Sequence, residues 1–96
     1  MKKLEGAENF RAWKYRIMLI LQENDLDRFV MEEVKEPEEV ESKSKYKKDM
    51  IIAKRIIVES IKDNLIPQVS SKETPKKMFD ALSGLFEERN INRKMP

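Results

Sequence analysis

The chain has 96 residues, 40% of them charged and 40% hydrophobic, and 20 Lys and Arg against 18 Asp and Glu leave a net charge of +2. It contains no Cys and no His, which excludes a disulfide framework, thiolate metal sites and imidazole acid–base chemistry. No uncharged run approaches the length that a bilayer span or a signal-peptide core requires.

Only two glycines and four prolines interrupt the sequence, and the apolar spacing is helical throughout. Phe10, Trp13, Ile17, Ile20 and Leu21 fall within about a 100° arc. They predict a helix over 8–24, begun by Glu8 or Asn9 and stopped at Asn24-Asp25. A shorter helix over 26–31 carries Leu26, Phe29 and Val30. Residues 32–42 hold Pro37 and six glutamates, net −5, and read as an exposed acidic loop. A helix over 43–64 follows, capped by Ser42 or Ser44, with a stripe of Tyr46, Met50, Ala53, Ile56, Ile57 and Ile61. Ile51, Ile52 and Val58 lie off that stripe, so the middle of this helix is nearly all apolar. That pattern places it at the centre of a bundle.

Ile66-Pro67 is expected to break the helical pattern, because proline disfavours helix in the residue before it. Thr74 then predicts an N-cap and Pro75 the first position of a last helix over 75–89. That helix carries Met78, Phe79, Leu82, Leu85 and Phe86. The fold class is all-α, a small orthogonal bundle of about four to five helices in a single domain. Its signature core is Phe10, Trp13, Ile17, Ile57, Ile61, Met78, Phe79, Leu82 and Phe86. RNA readers stack bases on exposed aromatic rings, but these rings stand at core spacing.

The residues for covalent chemistry are missing. Of the nucleophile–base pairs only Ser–Lys remains, and Ser42 to Lys45 is a charged helix entrance with no strained turn to present a nucleophile. The carboxylates of residues 32–41 lack the burial that would raise a pKa for general acid work. They also lack the glycine of a calcium loop. Two glycines cannot make a phosphate-cradling loop. The sequence therefore implies a protein that is not an enzyme, with no cofactor, metal or small-molecule substrate.

What remains is surface. On the first helix Leu19, flanked by Tyr15, points away from Phe10. On the long helix Ile51 and Val58 lie outside the main stripe. These four are candidate protein-interface residues. Residues 43–62 sum to +5, and Lys43, Lys45, Lys47 and Lys48 are candidate weak nucleic-acid contacts, joined by the basic segment Arg89–Lys94. The adjoining acidic loop is placed to neutralise these lysines in cis, which argues against a phosphate-binding surface.

The opening Lys3-Leu4-Glu5-Gly6, with Asn9-Phe10, Trp13-Lys14 and Arg16-Ile17, resembles the L-x-G-x-N-[FY]-x-x-W-K-x-R start of copia-type retrotransposon Gag proteins. Further on, Leu65-Ile66-Pro67, Val69, Glu73-Thr74, Lys77 to Leu82 and Leu85-Phe86-Glu87 are similar as well. The likeness runs over residues 3–94. It implies the N-terminal lobe of a capsid-like region, a structural domain that self-associates around an element's RNA in a cytoplasmic particle, with a nuclear location as the alternative. Members of that family continue into further helices and often a zinc knuckle, so this chain is expected to be cut from a longer polyprotein. Homo-oligomers are the implied partners, nucleic acid is indirect, and a membrane plays no part. Two alternatives stand beside this reading. One is a nucleic-acid-binding helical domain using the basic segments, and the other a helical adaptor for another protein.

Overall fold

In a computed structural model, the chain is described over residues 2–87. Among these residues it is all-α: α1 (Ala7–Glu23), α2 (Arg28–Met31), α3 (Val40–Glu59), a 3-10 turn (Asp63–Leu65), α4 (Ile66–Val69) and α5 (Pro75–Phe86). None of these helices is long and apolar enough to cross a membrane.

The first turn of α1 is closed from upstream. Asn9 Oδ1 accepts from the backbone N–H groups of Glu5 and Gly6, and Asn9 Nδ2 donates to the Lys3 carbonyl. This shifts the helix start to Ala7, with Gly6 rather than Glu8 or Asn9 at the N-cap. Leu4, wholly buried, pairs in a single parallel bridge with Ile61. The Leu4 N–H donates to the Ser60 carbonyl at 2.8 Å, and the Lys62 N–H donates to the Leu4 carbonyl at 3.0 Å. That bridge is why α3 stops at Glu59 and not near Asn64. The backbone groups just past it are used by the N-terminal segment instead of another helical turn.

At its other end α1 closes in a Schellman arrangement. The Leu26 N–H reaches the Leu21 carbonyl at 2.7 Å and the Asp25 N–H the Gln22 carbonyl at 3.0 Å, with Asp25 at φ 58°. Leu26 belongs to this closure and Asp27 is the N-cap of the next helix, so α2 begins at Arg28 and not at 26.

The acidic segment is shorter than expected, because α3 starts at Val40. Glu39 stands at its N-cap, and neither Ser42 nor Ser44 caps the helix; the Ser42 hydroxyl instead donates to the Glu39 carboxylate. Ile66-Pro67 does not break the pattern either. Pro67 lies in the first turn of α4, where a missing N–H has no intrahelical partner to lose. Thr74 caps α5 as the sequence indicates, its Oγ1 accepting from the Lys77 N–H at 3.2 Å. The last expected helical positions, 88 and 89, lie outside the described residues.

The centre of the bundle is α5, not α3. α5 packs against α2, α3 and α4, and its Phe79 and Phe86 rings meet Trp13 and Phe10 of α1 at 5.9 and 5.8 Å. Only Ala53 and Ile57 of α3 are fully buried. Its off-stripe apolar residues face the margin of the core or solvent. The buried core joins Leu4, Phe10, Trp13, Ile17, Leu21, Phe29, Ile57, Ile61, Met78, Phe79 and Leu82, and Phe86 is half-buried against it. Full burial of each large side chain contributes roughly 1.5–3 kcal/mol.

Candidate functional site: interaction surfaces

The aromatic interior is closed. Trp13 is 0% exposed, and its indole N–H donates to Ser60 Oγ at 2.9 Å while that hydroxyl donates to the Ile57 carbonyl at 2.7 Å. The ring therefore offers no face for a base to stack upon. Buried side-chain polar atoms without a partner are absent among the described residues. Groups of carboxylates placed to hold a metal ion are absent there too.

Tyr15 is 69% and Leu19 48% exposed on the outer face of α1, and Ile51 is 64% exposed on α3. Val58, the fourth interface candidate, is half-buried against the core and is not a free outward patch. Two exposed apolar residues were not anticipated: Met31 at 65% and Val40 at 82%. They flank the acidic segment at either end. No periodicity marks them: Val40 stands between two glutamates, and Met31 follows Val30 as the last residue before the glutamates.

The basic candidates divide. Lys45 Nζ is 2.8 Å from Asp49, which also meets Arg28 at 3.8 Å. Lys43, Lys47 and Lys48 are exposed and make no ion pair among the described residues. No close ion pair joins the acidic segment to them among the described residues. The segment is tied elsewhere. The Thr74 hydroxyl donates to the Glu33 carboxylate at 3.1 Å, and the Tyr46 hydroxyl donates to the Val34 carbonyl at 3.2 Å. Burial, reinforced by Glu36 and Glu33, raises the Tyr46 pKa above its ordinary value. Arg89 and the rest of the Arg89–Lys94 segment lie outside the described residues.

A groove of 420 Å³ between α1, α2 and α5 has Met18, Val30, Met31 and Phe79 along it. Lys14 spans its rim to Glu87 at 3.2 Å. Both ends of that pair are substantially exposed, so it contributes little to stability. No protein-family model, curated protein or solved structure matches this chain.

Proposed function

We propose that this chain is a non-catalytic, capsid-like domain of the copia-type Gag kind, whose work is self-association. The observation that supports the reading best is how the Gag-like opening is used. Leu4, Gly6, Asn9, Phe10 and Trp13 act together as one clip, with Leu4 bridged to Ile61, Asn9 closing the first turn and Trp13 bonded to Ser60. Such a clip is structural. It leaves Tyr15, Leu19 and Ile51 as outward apolar positions on a body with no closed ligand cavity among its described grooves. Contacts of this kind are individually weak and gain strength by repetition.

Sedimentation velocity of the parent beside Leu19→Lys and Ile51→Lys tests this. The expected result is concentration-dependent association of the parent and its loss in the variants, with helical circular dichroism retained. A parent that stays monomeric while capturing an unrelated helix through the same residues would make the domain an adaptor instead.

A further inference from the structure

The geometry points to a head-to-tail contact between copies of this chain, in which the acidic segment 32–39 of one copy lies along the basic outer face of α3 of the next. The inference rests on the self-association reading and specifies its contact. Exposed Lys43 and Lys47 and half-buried Lys54 share one side of α3, Lys48 and Arg55 follow one position on, and exposed Ile51 sits among them. From Lys43 to Lys54 the strip runs about 16 Å at helical rise. Residues 33–39 are non-helical and would span at most about 20 Å if extended, enough to follow that strip. The two surfaces are opposite in sign, with Glu32, Glu36, Glu38 and Glu39 outweighing Lys35 on one side and the lysines on the other.

Within its own copy Arg55 meets Glu59 at 3.9 Å and Glu39 accepts from Ser42 at 3.0 Å, but the two surfaces do not meet each other. The segment is held by its bonds to Thr74 and Tyr46. No ion pair joins its carboxylates to Lys43, Lys47, Lys48 or Lys54 among the described residues. Val40 at the end of the segment and Ile51 within the strip add an apolar element to each partner surface. A two-fold pairing of α3 with its own copy would instead crowd Lys43, Lys47 and Lys48 against their equivalents, and like charges in apposition are costly. The segment and the strip are different surfaces, so the contact either repeats from copy to copy as a ring or a filament or closes reciprocally between two copies.

Two charge-reversed proteins test it: Glu32→Lys/Glu36→Lys/Glu38→Lys and Lys43→Glu/Lys47→Glu/Lys48→Glu, each followed by sedimentation velocity, alone and mixed. Each alone should lose association by at least about tenfold, and the equimolar mixture should regain it, because every reversed surface then meets its complement. Association of the parent should weaken as salt rises from about 0.1 to about 1 M, where the Debye length falls from about 10 to about 3 Å. If both reversed proteins associate like the parent, this contact is overturned while self-association stands. If the parent itself never associates, both fall. If the lysine-reversed protein loses binding to single-stranded poly(U) RNA while associating normally, the strip serves nucleic acid and the contact is likewise overturned.

Discussion

Trp13 and Ser60 show how much one side chain can hold in so small a domain. The indole fills the middle of the core, and its single polar atom is met by a buried hydroxyl 47 residues away. Ser60→Ala keeps the packing but strands that N–H, which should cost about 1–3 kcal/mol. Trp13→Ala should cost about 3–5 kcal/mol. Urea titrations of both variants check the order, and equal midpoints would contradict it. Tyr46 supplies a pH test. Its folded-state pKa is raised, so the folded state holds the proton more tightly than the unfolded chain. The stability this contributes is complete below the ordinary value of 10.0 and is lost as pH rises through the higher folded value. Compared with Tyr46→Phe, the parent should therefore lose relative stability on passing above that point, as urea midpoints at successive pH values would register. Trp13 was legible in the sequence because it stands on a periodic stripe. Ser60 and Leu4 were not, since a lone serine at a helix end and a lone leucine before a glycine carry no period, and their roles exist only once distant segments meet.

At the scale of elements, the interiors of the long helices followed from apolar spacing, while their ends were decided by bonds the spacing does not encode. α5 begins where Thr74 and Pro75 indicate, because its cap is local. α3 ends early because Leu4, far away in sequence, takes the backbone groups beyond Ser60. The turn after α1 places Asp25 in the left-handed region, a conformation that costs an L-residue about 1–2 kcal/mol and a glycine almost nothing. Asp25→Gly should thus stabilise the domain by up to about 1 kcal/mol, seen as a higher melting temperature. Thr74→Ala should destabilise it by about 0.5–2 kcal/mol. It also releases Glu33 from its hydroxyl partner, so amide hydrogen exchange in residues 32–39 should quicken, whereas Thr74→Ser should restore the parent rate. The central place of α5 was hidden for a related reason. α3 has the richer apolar content, but several of its apolar residues are turned outward, and composition alone does not say which faces a fold will cover.

For the whole molecule, opposite charge lies in neighbouring segments without pairing. A linear reading assigns the glutamates of 32–41 to their nearest lysines. The fold ties that segment to Thr74 and Tyr46 instead, leaving Lys43, Lys47 and Lys48 exposed beside Ile51. Exposed charge and outward apolar side chains on a core without unpaired buried polar atoms among the described residues are the features the proposed self-association uses. The most direct measurement is sedimentation equilibrium of the intact chain up to roughly 1 mM, where weak contacts register, at low and at high salt. Self-association predicts a mass that climbs above 11.4 kDa with concentration and falls back as salt is added. A constant 11.4 kDa at every concentration and salt would contradict it.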